Sequence, residues 1–427
     1  MDSLLIARGH VVDPANGIDQ EMDVLLRDGR VAAVAVPGKL RGQAQRTFNA
    51  RGCIVAPGFV DLHVHLREPG QAHKETIATG TAAAAAGGFT SVCAMPNTVP
   101  VNDSPEITRR MQSLERGALV NVFPIAAATI GSQGEKLTNF AALKRAGAVA
   151  VSDDGNPILD DRLMRDALRA AARLKIPVVQ HAEDTRMTVG CSMNFGPMSF
   201  RLGVHGMVNA AEASIVERDI ELARATKGHV HVAHLSTREA LEAVRQAKKT
   251  GVRVTAEVTP HHITLVDTNI GDFDTNYKMN PPLRSASDRE ALIAGILDGT
   301  IDAIATDHAP HAFHEKQVEF EKAAFGITGL ETALSIAITV LHQHFNVPIT
   351  RIVELVSSNP AKIFNLKGRG TLAKGAHADV TIFDPKMKCT FDASQSRSKS
   401  RNTPFDGWSF SGKVVATIVG GGVVHES

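Results

Sequence analysis

Gly58-Phe-Val-Asp-Leu-His-Val-His65 is a short apolar run that ends in a His-x-His pair and is followed at once by Leu66-Arg67. Side chains alternate faces along a strand, so His63, His65 and Arg67 share one side. Two neutral imidazoles there suit a metal, and the guanidinium beside them suits an anion. A His-x-His pair alone recurs by chance, so its meaning depends on partners elsewhere.

Seven further β-rich runs follow, at residues 90–97, 120–127, 148–153, 177–181, 230–234, 252–258 and 303–307. Helix-like stretches separate them, at 75–86, 105–115, 137–146, 161–174, 210–225, 238–249 and 287–297. Eight β-rich runs alternating with helices predict a TIM-like parallel (β/α)8 barrel with its helices outside. The two chain ends differ: residues 1–54 and 371–427 read as short strands broken by Gly and Asp turns. Neither end is self-sufficient, so they are expected to combine into one small β domain, sandwich-like, beside a catalytic barrel spanning 55–370.

The 427 residues are 43% hydrophobic and 21% charged, enough for a large core, and the formal net charge is +1. No basic block favours nucleic acid or an anionic membrane surface. The N-terminal residues lack a signal-like pattern and no segment is apolar for the length of a bilayer, so a cytoplasmic protein is expected. Cys53, Cys93, Cys191 and Cys389 are scattered without a Cys-x-x-Cys, which disfavours a disulfide framework or a thiolate metal site. Residues 392–401, rich in Ser and basic residues, read as a mobile surface loop without assigned function.

Barrels of this kind place their chemistry at the C-terminal ends of the strands. The fourth run ends in Asp153-Asp154-Gly155, the fifth in His181, the sixth in His234 and the eighth in Asp307-His308-Ala-Pro-His311. This convergence predicts a His and carboxylate metal site, with more donors than one tetrahedral ion needs. His63, His65 and Asp307 would serve one ion, His181 and His234 the other, with a carboxylate from the fourth strand between them. Such a site activates water and polarises a carbonyl, leaving Asp307 to take and return a proton. Alternation with Val230 and Val232 inward predicts that His229 and His231 face the helix layer or solvent. On the eighth strand it points Asp307 inward and leaves His308 as a supporting residue. Alternation does not choose between Asp153 and Asp154.

These motifs resemble those of the amidohydrolase superfamily, and more closely class I dihydroorotases. The resemblance rests on Asp61-Leu-His-Val-His-Leu-Arg67, Met95-Pro-Asn-Thr98, Ser152-Asp-Asp-Gly155, His181-Ala-Glu183, His234-Leu-Ser-Thr237, Glu257-Val-Thr-Pro-His-His262, Met279-Asn-Pro-Pro-Leu-Arg284 and Asp307-His-Ala-Pro-His311. It covers nearly the whole chain. It implies one or two Zn2+ ions held by His63, His65, Asp154, His181, His234 and Asp307, with Asp307 catalytic. Asp154 is preferred over Asp153 for its separation from His181. Many relatives bridge their metals with a carboxylated lysine. Here the nearest upstream basic residues are Lys144 and Arg145, before the strand, so a carboxylate bridge is expected.

The resemblance also implies substrate contacts from Arg67, Asn97, Asn280 and His311, donors suited to a carboxylate. The implied reaction is the reversible interconversion of N-carbamoyl-L-aspartate and L-dihydroorotate in pyrimidine (UMP) synthesis. Enzymes opening uncharged rings, such as hydantoinases and allantoinases, have no reason to bury Arg67 beside the metals. A non-catalytic pathway subunit would be expected to lack some of the donors. Many relatives form homodimers and some associate with aspartate carbamoyltransferase, which are the assemblies implied besides the small-molecule substrate. Residues 311–329 are a candidate substrate-covering segment, or else a surface helix.

Overall fold

A computed structural model describes residues 3–112 and 117–427. Eight parallel strands form the barrel ladder in strict sequence order: Phe59–Val64, Phe89–Ala94, Asn121–Ala127, Ala150–Ser152, Val178–Gln180, Val230–Val232, Val254–Val258 and Ala303–Ile304. The eighth strand is only two residues long, and the barrel closes just beyond it. Thr306 N donates to Asp61 Oδ1 at 3.1 Å, and His65 N donates to the carbonyl of His308 at 2.9 Å. The seam therefore runs through the His-x-His run itself.

Each strand has two apolar faces, as expected of a parallel sheet covered on both sides. Val60, Leu62, Cys93, Ile125, Val179 and Ala303 fill the barrel interior, with Phe364 beneath them. Val92, Val151, Val178, Val230, Val232 and Ile304 meet the helices.

The predicted helices appear at Ile77–Ala86, Pro105–Met111, Phe140–Ala146, Asp161–Leu174, Ala210–Thr226, Arg238–Lys249 and Ala286–Leu297. Part of the 105–115 stretch, residues 113–115, lies outside the described residues. Side-chain caps start several of them: Ser104 accepts from Ile107 N, Asp160 from Leu163 N and Thr237 from Ala240 N. Helix Asp161–Leu174 buries Met164, Ala167, Leu168 and Ala171, an i, i+3, i+4, i+7 stripe. Ile77–Ala86 packs closely through its small residues. A Cβ on Gly80 would stand 2.6 Å from Leu66 Cδ2, so this glycine lets the helix rest on the turn between His65 and Arg67.

The chain ends join in one hydrogen-bonded sheet of eight strands. Its order is Gly422–Glu426, Ser409–Val419, Val380–Thr390, Ile54–Pro57, Ser3–Asp13, Ile18–Arg27 and Arg30–Ala35, with Arg46–Asn49 also paired to Ser3–Asp13. Ile54–Pro57 is antiparallel to the C-terminal strand and parallel to the N-terminal one, and it leads straight into the first barrel strand.

Residues 392–401 depart from expectation. After a short turn at Ala393–Gln395 the chain runs along the barrel with Ser398, Ser400 and Asn402 buried and Arg397, Lys399 and Arg401 exposed. It is a packed strap, not a free surface loop. The inward serines and asparagine find hydrogen-bond partners on the barrel, which a reading of composition does not reveal. Residues 311–329 form one short helix, Phe313–Lys316, and otherwise irregular chain that buries Phe320 and Ala323. The ammonium groups of Lys278 and Lys316 stitch this segment, bonded only to backbone carbonyls: Phe320 and Glu321 for Lys278, and Lys278, Ala324 and Gly326 for Lys316. No helix among the described residues is long and apolar enough to cross a membrane.

Candidate active site

Three of the site residues sit where the chain turns just beyond a barrel strand. Arg67, His234 and Asp307 have φ of 59°, 32° and 45°, the left-handed region that residues with a Cβ seldom occupy. These turns end the alternation of faces. His234 enters the site by such a turn. His231 is a correction: it is fully buried inside the barrel and does not face the helices or solvent. Val230 and Val232 pack under the helices instead. A valine suits either face of a barrel strand, so it gives no direction.

The six donors converge. His63 Nε2 lies 3.5 Å from Asp154 Oδ1 and 3.4 Å from Asp307 Oδ1, and His65 Nε2 lies 3.1 Å from the same Asp307 oxygen. His181 Nδ1 and His234 Nε2 are 3.0 Å apart and stand 3.8 Å and 3.7 Å from Asp154 Oδ1. Asp154 thus lies between the two histidine pairs. Asp153 turns away, and its Oδ1 accepts from Thr129 N at 3.0 Å. Three overlapping donor groups, His63–His65–Asp154, His63–His234–Asp307 and Asp154–His181–His234, each bring their atoms within 4.8 Å of one another.

The far nitrogens of His63, His65 and His181 are engaged, and that of His234 has no hydrogen-bond partner among the described residues. His63 Nδ1 donates to Glu257 Oε1 at 3.1 Å, and the other oxygen of Glu257 accepts from His231 Nε2 at 3.0 Å. His231 Nδ1 is in turn 2.8 Å from Thr255 Oγ1. His65 Nδ1 donates to Asn97 Oδ1 at 2.8 Å, while Asn97 Nδ2 donates to Asp154 Oδ2 at 3.0 Å. His181 Nε2 donates to Glu183 Oε2 at 2.8 Å, and Asn280 Nδ2 reaches the same oxygen at 2.9 Å. Each bond fixes a tautomer that leaves the inward nitrogen as a lone-pair donor. His63 Nε2 is buried without a protein hydrogen-bond partner, an orphan suited to an ion.

Burial alone would raise the pKa of Glu257, but the facing His231 and His63 hold it at about 2. Asp307 is likewise pushed up by burial and drawn further down by His63 and His65, so it is a carboxylate at neutral pH.

A cavity of about 320 Å3 opens beside the cluster, and Arg67, Asn97, Asn280 and His311 all line it. Arg67 Nε donates to the Pro310 carbonyl at 3.1 Å, and among the described residues no carboxylate pairs with the guanidinium. Burial pulls it down to about 10, so it remains a cation. His311 Nε2 lies 2.9 Å from the Phe325 carbonyl and 3.3 Å from Arg67 Nη2. Burial, then the Arg67 charge, lowers its pKa to about 3, which keeps it neutral. His308 stands behind the site, with Nε2 3.2 Å from Glu75 and Nδ1 accepting from Gly329 N at 3.2 Å.

Glu75, Glu183 and Glu257 are not singled out by the sequence, and His231 is set aside by it. Glu183 and Glu257 stand in quoted motifs, and the signal for both is a carboxylate at or beside the end of a barrel strand.

A Dihydro-orotase-like family model matches residues 52–240. A Dihydroorotase of Solibacter usitatus (strain Ellin6076) is 49% identical over 421 residues, 98% of this chain and 97% of the relative. The chain belongs to the dihydroorotase family. A second Dihydroorotase, of Anaeromyxobacter dehalogenans (strain 2CP-C), is 48% identical over 428 residues, covering 100% of this chain and 98% of its own. Among solved structures, the L-Hydantoinase (Dihydropyrimidinase) from Arthrobacter aurescens superposes with a TM-score of 0.89 at 25% identity, covering 100% of this chain and 96% of that one. The family is therefore one of amidohydrolase-superfamily enzymes, with a barrel and an added β-rich domain.

Proposed function

We propose that this chain is a zinc-dependent dihydroorotase that interconverts N-carbamoyl-L-aspartate and L-dihydroorotate in UMP synthesis. The observation that carries this reading is Arg67, a buried cation with no carboxylate ion-paired to it among the described residues, facing the same cavity as the six-donor cluster. An unpaired buried charge is costly unless a ligand completes it, and a ring carboxylate does so.

The donors fit a metal: they are all nitrogen and carboxylate oxygen, buried, oriented from behind and drawn toward one point. His63, His65 and Asp307 would hold one ion and His181 and His234 the other, with Asp154 between them. Zinc bound there supplies Lewis acidity, lowering the pKa of water and polarising the ring carbonyl. Arg67 binds the substrate carboxylate, with Asn97, Asn280 and His311 on the surrounding walls, and orients the scissile amide toward the cluster. Asp307 takes the proton of the attacking water on a carboxylate oxygen and delivers it to the leaving ring nitrogen. In the reverse direction it accepts that proton from the carbamoyl nitrogen.

The test is an assay of the purified protein in both directions, with metal analysis of the same sample and with hydantoin and allantoin as uncharged rings. Dihydroorotate should turn over and the neutral rings should not. Preferential turnover of a neutral ring, unaffected by Arg67→Ala, would replace this reading with a hydantoinase-like one.

A further inference from the structure

The strap at residues 396–402 alternates like a strand but has no partner strand, and its inward groups bond to the barrel loops. Lys399 N donates to Glu75 Oε1 at 3.0 Å, and Ser400 Oγ donates to the Lys74 carbonyl at 2.6 Å. Asn402 makes the most connections. Its Oδ1 accepts from His311 N at 2.9 Å, and its Nδ2 donates to the carbonyls of Ala309 at 2.9 Å and Gly326 at 3.0 Å. Its own carbonyl accepts from Thr328 N at 2.9 Å. One buried amide thus ties both ends of the 309–328 segment together. The approach is close: a Cβ on Gly326 would stand 2.4 Å from the Ala309 oxygen.

Residues 309–311 are the backbone on which the anion-binding wall rests. Ala309 and His311 line the cavity, and Pro310 between them provides the carbonyl that accepts from Arg67 Nε. We infer that Asn402 is a positioning residue for substrate affinity: by fixing residues 309–311 it aims the Arg67 guanidinium at the substrate carboxylate. Asn402 lines neither the cavity nor the donor cluster, so it acts through the backbone it holds at Ala309 and His311, on either side of Pro310. The inference rests on the dihydroorotase reading for its substrate, but not for its structural step.

Asn402→Ala leaves His311 N and the Ala309 carbonyl without this partner, and buried backbone groups lose affinity-setting order when orphaned. The expected result is a KM for dihydroorotate raised by about tenfold or more, with kcat within about threefold of the parent and zinc content unchanged. Ser400→Ala, on the same strap but removing only a hydroxyl that donates to the Lys74 carbonyl, should leave KM within about twofold. Backbone hydrogen exchange across 309–328 should quicken in Asn402→Ala and not in Ser400→Ala. If Asn402→Ala does not fold, Asn402→Ser, which keeps one hydroxyl, should move KM and exchange in the same direction by less. A KM within about twofold of the parent, or a loss of kcat together with zinc, overturns the inference. If the parent itself does not hydrolyse dihydroorotate, the functional reading fails, and exchange at 309–328 still decides the structural role of Asn402: unchanged protection overturns it.

Discussion

His63, His65 and His181 each bond one ring nitrogen to a side chain at the ends of the barrel strands or in the loops after them, namely the buried Glu257 and the partly buried Asn97 and Glu183. Arg67 and His311, across the same cavity, lean on the backbone carbonyls of Pro310 and Phe325, in chain tied down by Asn402 from the C-terminal strap. Glu257 and Glu183 place a negative charge behind the rings they orient, and the main-chain carbonyls behind Arg67 and His311 orient without a net charge. On the proposed function the first wall serves the chemistry and the second the selection of substrate, so damage to each should be separable.

The sharpest break is Asp307→Asn. Losing the proton carrier should lower kcat by about a thousandfold while the five remaining donors still retain metal, measured by steady-state turnover and elemental analysis. Near-normal turnover would remove Asp307 from the mechanism and erase the distinction between the walls. Arg67→Ala comes next. Truncating one partner of a buried ion pair costs about 2–5 kcal/mol, so KM for dihydroorotate should rise by about thirtyfold or more, with metal content intact.

Glu257→Gln and His231→Phe probe support of the first wall from inside the barrel. Both should weaken zinc by at least about tenfold, read by competition with a chromophoric chelator, because the first removes the negative charge behind His63 and the second removes the other partner that holds Glu257 in place. Unchanged zinc affinity in both would show that this wall does not depend on its backing.

The smallest effect concerns the second wall's loop. Burial, then the neighbouring Lys278, lowers Lys316 from 10.5 to about 7. Between those pH values the unfolded chain carries a proton that the folded chain lacks, so this group makes stability rise as pH climbs from about 7 toward 10. Lys316→Met should flatten that rise, seen as a smaller difference between urea midpoints at pH 7 and pH 9. An identical slope in both proteins would mean that Lys316 stays protonated in the fold.

The barrel was legible because eight apolar runs alternate with capped, amphipathic helices, and the strand-end histidines and Asp307 could be found by asking what each run ends in. His231 was misdirected because a parallel barrel strand is apolar on both faces, so Val230 and Val232 did not reveal which one is lined by Thr255 and Glu257. Met193–Asn194 and Gly206–Met207 pair in strands of two residues, too short to carry any period. The helix Ala333–Ile336 and its wider π-type continuation Ala337–His344, after the eighth strand, went unassigned. The strap was hidden in plain view: Ser-Arg-Ser-Lys-Ser-Arg alternates with period two, but its buried half is serine, and polar composition overrode the period.

One feature of the small domain bears on how the molecule is made. Ile54–Pro57 needs Ser3–Asp13 on one side and Val380–Thr390 on the other. A ribosome must therefore complete nearly the whole polypeptide before that strand gains its second neighbour, and until then the nascent chain carries an open sheet edge able to pair with another copy.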